Sequence, residues 1–135
     1  MRAKKRSLLD SFALLAFLNK EHGFEKVRSL LRAAEASAER LLMNEINIGE
    51  VYYITAKGRS IEQAEEFLHR LETLPIRPVP NSFADVIEAA RIKARFPISY
   101  ADAFAVATAI RMDAVIVTED PEFRAVEHLV TVDWL

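Results

Sequence analysis

The feature that most constrains this chain is an alternation of short apolar runs with longer stretches of helical periodicity. The apolar runs have the length of buried strands, and most of them are separated by two helical stretches. Strands are predicted at residues 7–10, 40–43, 76–79, 114–117 and 129–133, and helices at 12–20, 24–34, 45–58, 61–73, 82–95 and 100–112. This β-α-α order predicts an α/β fold with three layers, in which helices flank both faces of a central parallel sheet of about four to five short strands.

Local signals predict where several of these elements begin and end. Asn44 and Asn81 are predicted to cap the helices that follow them, and Ser60-Ile61-Glu62-Gln63 has the pattern of a capping box. Prolines within and beside residues 76–79 predict an irregular third strand.

Length and composition exclude several classes of protein. A chain of 135 residues fits a single domain, here 1–135 with a basic leader at 1–6. The absence of cysteine excludes disulfides and cysteine-ligated metal sites, and 18 basic against 20 acidic residues give no bulk charge that indicates a nucleic-acid or membrane partner. The amino terminus imitates a secretion signal, but Asp10 interrupts its apolar stretch and no cleavage site follows. We therefore expect a soluble, cytoplasmic protein.

Two aspartates follow predicted strands. Asp10 lies at the carboxyl end of the first strand, and Asp120 closely follows the fourth. Ligands of open parallel sheets bind beyond the carboxyl ends of the strands, so both side chains are expected at the same rim. Each also has a simpler interpretation, because Asp10 can cap a helix and Asp120, before Pro121, can begin a turn.

Two further carboxylates lie on helix faces that are otherwise largely apolar. Glu50 is predicted to face inward, and the neighbouring Gly49 predicts close approach of another element. Asp102 is also predicted to face inward, although it completes the capping-box pattern Ser99-Tyr100-Ala101-Asp102, which leaves a purely structural role open. Glu45, in the first turn of its helix, is explained by the helix dipole.

Four inward carboxylates cannot share one pocket in their ionised forms unless a cation compensates them. The chain has no cysteine and only three scattered histidines, so oxygen atoms are the available ligands. Such ligands select Mg²⁺ or Mn²⁺, and a magnesium site of this kind commonly binds a substrate phosphate. Hydrolysis of phosphodiester bonds is the chemistry that this pattern favours.

Four segments carry the acidic pattern: Leu8–Ser11, Asn47–Val51, Tyr100–Ala109 and Val117–Phe123. In these segments, and over nearly its whole length, the chain resembles the PIN-domain ribonucleases, and among them the VapC-type toxins of toxin–antitoxin pairs. The resemblance implies a metal site formed, directly or through water, by Asp10, Glu50, Asp102 and Asp120, with the hydroxyl group of Thr118 in support.

Of the other positions, Ser11 agrees with the resemblance, and the rest are neutral to it or depart from it. Ser11 follows the first aspartate as in many relatives and is a candidate to hold a bound water or a substrate phosphate. Asn44 and Asn47 stand where the family often has serine or threonine. Glu119 occupies a variable position and is not assigned as a ligand, and the basic leader is not part of the family pattern.

The resemblance also implies an activity and partners. It implies an endoribonuclease that depends on Mg²⁺ or Mn²⁺, a VapB-like antitoxin whose tail crosses the active-site groove, and a homodimer. The apolar helices at 12–18 and 24–31 are candidates for the antitoxin groove, although burial in the core is the simpler interpretation of most of their side chains.

An RNA substrate would have to approach a negatively charged site, so cations at its rim are expected to guide the backbone. Two sets of basic residues are candidates, each with a solvated surface as the simpler interpretation. They are Arg2, Lys4, Lys5 and Arg6, and Arg91, Lys93 and Arg95.

Rival interpretations with a similar sheet lack the residues that they need. A phospho-receiver domain would have a second acidic residue beside Asp10, where Ser11 stands, and a lysine beyond Lys93. A haloacid-dehalogenase-like phosphatase would have an aspartate where Phe12 stands. Two nearer alternatives stay open: a PIN nuclease of RNA processing or decay without an antitoxin, and a catalytically silent binding module of the same fold.

Overall fold

The computed structural model describes residues 5–135, so Arg2 and Lys4 of the predicted leader lie outside the described residues. Within this range, no helix combines the length and the apolar character that crossing a membrane requires. The strands are β1 (Ser7–Leu9), β2 (Leu41–Asn44), β3 (Ile76–Val79), β4 (Val115–Thr118) and β5 (Val132–Trp134). The helices are α1 (Ser11–Leu18), α2 (Phe24–Ser37), α3 (Glu45–Gly58), α4 (Ile61–Leu71), α5 (Phe83–Arg95), α6 (Tyr100–Met112) and a 3₁₀ helix (Pro121–Val126).

The five strands form one sheet in the order β3-β2-β1-β4-β5, and every pairing is parallel. Alternate residues of a strand point to opposite faces of the sheet, and each face has its own core. Leu8 packs in the core with α5 and α6, whereas Leu9 packs in the core with α1, α2 and α3. The predicted α/β class, the parallel sheet and its three layers are therefore confirmed.

Two details differ from the predictions. The third strand is regular and pairs with β2 along all four residues; it lies at the edge of the sheet, where proline is tolerated. Helix α5 is capped by Ser82, which forms a complete capping box with Asp85, so the predicted cap at Asn81 is wrong. Asn81 instead exchanges two hydrogen bonds with the buried side chain of Asn44.

The central strands position the candidate site. β1 and β4 are neighbours, and Leu9 is in register with Val117. The chain therefore leaves both strands side by side, with Asp10 and Thr118 adjacent at the carboxyl edge of the sheet.

Candidate active site

Asp10 and Asp120 are linked through Thr118. The side chain of Asp10 is fully buried; its Oδ1 caps α1 by accepting a hydrogen bond from the Ala13 amide at 2.8 Å, and its Oδ2 accepts one from the Thr118 hydroxyl. The Thr118 oxygen in turn accepts a hydrogen bond from the Asp120 amide at 2.9 Å. Capping and site positions are therefore not alternatives for Asp10, since one carboxylate oxygen caps the helix and the other faces the hydroxyl of Thr118.

Asp102 lies in the first turn of α6 with 2% of its surface exposed. Ser99 caps this helix by accepting a hydrogen bond from the Asp102 amide at 3.1 Å, as predicted. The return bond of a capping box is replaced, because the Ser99 amide donates to Oε1 of Glu122 at 3.2 Å. The Asp102 carboxylate is thus free of the capping role, and its Oδ2 is buried without a hydrogen-bond partner.

Glu122 is a member of the cluster that the sequence did not suggest. One carboxylate oxygen from each of Asp102, Asp120 and Glu122 lies within 4.8 Å of the other two. Glu122 reaches this position because the chain turns after Asp120 into the 3₁₀ helix, where Oδ1 of Asp120 accepts a hydrogen bond from the Glu122 amide at 2.9 Å. The sequence feature that could have indicated this turn, and with it the position of Glu122, is Pro121 at its start.

Glu50 lies in α3, and its side chain is less buried than its neighbours in the sequence suggested. The residue is half-buried, and its Oε2 accepts a long hydrogen bond of 3.4 Å from the Tyr53 hydroxyl. Its Oε1 is buried and has no hydrogen-bond partner. Glu50 is outside the group of three oxygens, but its charge contributes to raising the pKa of Asp10, so the two carboxylates interact.

The electrostatics of the site oppose ionisation. Burial raises the pKa of Asp10 to about 7; the hydrogen bonds from Thr118 and Ala13 act against this shift, and the charges of Asp120 and Glu50 add to it. Burial likewise raises the pKa of Asp102 far above its ordinary value, and the charge of Asp120 adds to the effect. A cation bound at the site would compensate these charges and favour the carboxylate forms at neutral pH.

The residues present fit a hard divalent cation. Among the residues that the structure describes, three buried side-chain oxygens lack a hydrogen-bond partner: Asn47 Oδ1, Glu50 Oε1 and Asp102 Oδ2. Carboxylate and amide oxygens are the ligands that Mg²⁺ and Mn²⁺ prefer. Asp102, Asp120 and Glu122 could hold such an ion together, with Asp10 and Glu50 beside them.

The supporting residues of the sequence prediction lie close to this cluster. Ser11 is buried, and its hydroxyl donates to the main-chain carbonyl of Asn47 at 3.2 Å, so it links α1 to α3. The exposed Glu119 pairs with the imidazole of His22, with 2.9 Å between Nδ1 and Oε2.

The two basic sets differ in their position relative to the cluster. Lys5 and Arg6 precede β1, whose opposite end leads to Asp10, and they pair with Asp113 and Glu39. In the second set, Arg91 pairs with Glu88. Lys93 and Arg95 are exposed at the end of α5, directly before the loop that leads to the start of α6, where Asp102 lies.

Comparisons with known proteins agree with this architecture. The model of the PIN domain family matches residues 7–129. The chain is similar to DNA-bound VapBC from Salmonella typhimurium (TM-score 0.72, 15% identity, 97% of this chain and 98% of that chain). It is also similar to VapBC2 from Rickettsia felis bound to a promoter DNA fragment (0.71, 16%, 95% and 97%). A third similar structure is Mycobacterium tuberculosis VapC20, a sarcin–ricin loop cleaving toxin (0.70, 16%, 89% and 94%). At these identities the similarity shows a shared fold. The comparison with curated proteins gives no match.

Proposed function

Because this chain belongs to the PIN-domain family, we propose that it is a Mg²⁺- or Mn²⁺-dependent endoribonuclease and the toxin of a VapBC-type toxin–antitoxin pair. The observation that carries the proposal is the burial of Asp10 and Asp102 against other carboxylates, with the pKa of both groups raised. Capping of α1 explains only one oxygen of Asp10 and does not explain why several carboxylates are buried together, whereas a divalent cation at the site would compensate their charge.

The residues have distinct roles in the proposed activity. Asp10, Glu50, Asp102 and Asp120 hold the cation, directly or through water, and Glu122 joins them. The bound cation supplies a more acidic water and an electrophile for a phosphoryl oxygen. Thr118 fixes the position of the Asp10 carboxylate relative to the Asp120 main chain through its two hydrogen bonds.

RNA would reach this site along the rim at the start of α6. Lys93 and Arg95 are exposed there, and Tyr100, two residues before Asp102, keeps 45% of its surface exposed. Cations offset the repulsion between the acidic cluster and the phosphate backbone, and an exposed aromatic ring can stack on an unpaired base. Lys93 and Arg95 are therefore better candidates than Lys5 and Arg6 for guiding single-stranded RNA.

A groove between α1, α2 and α4 is the proposed antitoxin site. It has a volume of about 300 Å³; Phe17 and Phe24 stack in it with ring centroids 5.5 Å apart, and Arg28 and Arg70 lie over these rings. An apolar floor bordered by guanidinium groups fits an amphipathic helix that also carries acidic residues. The similar structures from Salmonella typhimurium and Rickettsia felis are of VapBC bound to DNA. By analogy with them, we propose a VapB-like partner for this chain. We also propose a homodimer and a cytoplasmic location.

The decisive experiment is cleavage of a mixed RNA pool by purified, antitoxin-free protein in Mg²⁺ or Mn²⁺, with EDTA as the control for metal dependence. Asp102→Asn should lower turnover by at least a hundredfold while the protein stays folded. The matched control is Asp113→Asn, which makes the same change at an exposed helix C-cap with a positive φ angle, where asparagine is well tolerated. Asp113→Asn should cleave like the wild type.

The outcomes separate the proposal from its alternatives. Metal-dependent cutting that Asp102→Asn loses and Asp113→Asn keeps would support the nuclease. If the protein cuts RNA but no antitoxin is found that binds the groove, the alternative of a nuclease of RNA processing or decay would be favoured. Folded wild type that neither cuts RNA nor binds Mn²⁺ would contradict the proposal and favour a silent binding module.

A further inference from the structure

Asn47 is a fully buried residue of α3 that holds three elements together. Its Nδ2 donates to the main-chain carbonyl of Ala101 in α6 at 3.1 Å and, more weakly, to the Ser11 hydroxyl of α1 at 3.4 Å. Because a carbonyl oxygen can only accept, the bond to Ala101 fixes which side of the amide carries nitrogen. The other side is Oδ1, which is buried without a partner.

A buried amide oxygen without a hydrogen bond is unfavourable and calls for an explanation. Asn44, three residues earlier and equally buried, is the natural comparison for the hydrogen bonding of Asn47. Its Oδ1 accepts from the Ile46 amide and from Asn81, and its Nδ2 donates to Asn81 and Thr108. The fold can therefore satisfy a buried asparagine here, yet of these two side chains Asn47 keeps an unpaired oxygen.

The position of Asn47 explains which group its oxygen could meet. Glu50 follows it by three residues, so the two side chains lie on the same side of α3. Through Ala101, Asn47 is also bonded to the residue directly before Asp102. The other two unpaired buried oxygens belong to Glu50 and Asp102, so all three lie on the pair of helices that Asn47 connects.

We propose that Asn47 is a further residue of the cation site. Its Oδ1 completes the cation's oxygen shell, directly or through one water, and its Nδ2 holds α6 to α3 so that Asp102 and Glu50 serve the same ion. An amide suits this role because it adds an oxygen ligand without adding charge to a cluster that already has an excess of carboxylates. The inference rests on the proposed function, since it assigns a residue to the metal site on which that function depends.

The test measures Mn²⁺ binding to the full chain without RNA, by calorimetry and by electron paramagnetic resonance. Asn47→Leu keeps the volume of the side chain and removes both polar atoms; it should weaken Mn²⁺ binding by about tenfold or more. The matched control is Thr108→Val, which removes a buried hydrogen bond between α6 and Asn44 at a similar level of burial. Thr108→Val should bind Mn²⁺ within about twofold of the wild type, a margin below the tenfold loss expected for a lost shell partner.

A second measurement uses the wild type, so it does not depend on whether Asn47→Leu folds. Titration with Mg²⁺ should shift the side-chain amide signals of Asn47 in nuclear magnetic resonance spectra and leave those of Asn44 nearly unchanged. Equal Mn²⁺ affinity of folded Asn47→Leu and Thr108→Val, or Asn47 signals that do not respond to Mg²⁺, would overturn the inference alone. If the wild type binds Mn²⁺ no better than Asp102→Asn does, both the proposed function and this inference are overturned.

Discussion

The buried carboxylate of Asp10 is expected to destabilise the metal-free protein at neutral and alkaline pH, and Asp10→Asn should remove this effect. Burial raises the pKa of Asp10 from 3.8 to about 7 in the folded protein. A shift of roughly three pKa units corresponds to about 4 kcal/mol at about 1.4 kcal/mol per unit. Since the folded-state pKa is the higher one, the stabilising contribution of the protonated group is complete below about pH 4 and is lost as the pH rises to about 7.

Asp10→Asn keeps the cap of α1, because asparagine and aspartate are equivalent N-caps, but it weakens the bond with Thr118. Allowing about 1–2 kcal/mol for that loss, the variant should be more stable than the wild type by about 2 kcal/mol at pH 8 in EDTA. For a chain of this length the gain is a rise in Tm of roughly 7 °C. At pH 5 the gain should vanish: Asp10 is then protonated in the folded wild type but ionised in the unfolded chain, and this remaining cost of about 1–2 kcal/mol is offset by the weaker Thr118 bond of the variant.

The assay is urea and thermal unfolding at pH 5 and pH 8, in EDTA and in Mg²⁺, with Asp113→Asn as the surface control. Mg²⁺ should stabilise the wild type at pH 8 and have little effect on Asp10→Asn. The reasoning is wrong if Asp10→Asn is less stable than the wild type at pH 8 in EDTA, or if the difference between the two proteins does not depend on pH.

Four further predictions concern individual positions in and around the site. Glu122→Gln should weaken Mn²⁺ binding by about tenfold in calorimetry while keeping the acceptor for the Ser99 amide, so its Tm should change by only a few degrees; unchanged binding would remove Glu122 from the site. Thr118→Val should lower kcat by about 10–100-fold, because Asp10 and the Asp120 main chain lose their common partner; a wild-type kcat would contradict this link. Replacing Lys93 and Arg95 together by alanine should raise KM and reduce the salt dependence of cleavage with little change in kcat, whereas Lys5→Ala should have no effect on either. Gly49→Ala should stabilise the fold by about 0.5–1 kcal/mol in urea unfolding, because a Cβ atom there meets nothing within 4 Å; the close approach predicted at this glycine is wrong.

Features of the structure that depend on residues close together in the sequence were predicted well. The period of apolar residues indicated which segments are strands and helices, and the β-α-α order implied a parallel sheet with helices on both faces. The same order implies that Asp10 and Asp120 lie at one edge, because parallel strands all end on the same side of a sheet. Helix caps were predictable where one polar residue was available, as at Asn44, Ser60 and Ser99.

Features that depend on pairing across the chain were not predictable in the same way. Asn81 and Ser82 are both able to cap α5, and the choice depends on Asn44, which is 37 residues away and pairs with Asn81. Glu122 is placed in the acidic cluster by the turn after Asp120, and its carboxylate is held there by the Ser99 amide, 23 residues earlier in the chain.

The sequence by itself therefore determined the class of fold and the edge of the sheet at which the acidic residues meet, since both follow from periodicity and chain direction. Only the tertiary structure decided which oxygens are buried without partners, because a hydrogen bond depends on a few ångströms of separation between helices. Asn44 and Asn47 are the same residue type, both fully buried and three positions apart, yet one amide is satisfied and the other is left with a free oxygen. That difference is set by which residues α6 and the segment before α5 bring to each side chain once the helices have packed.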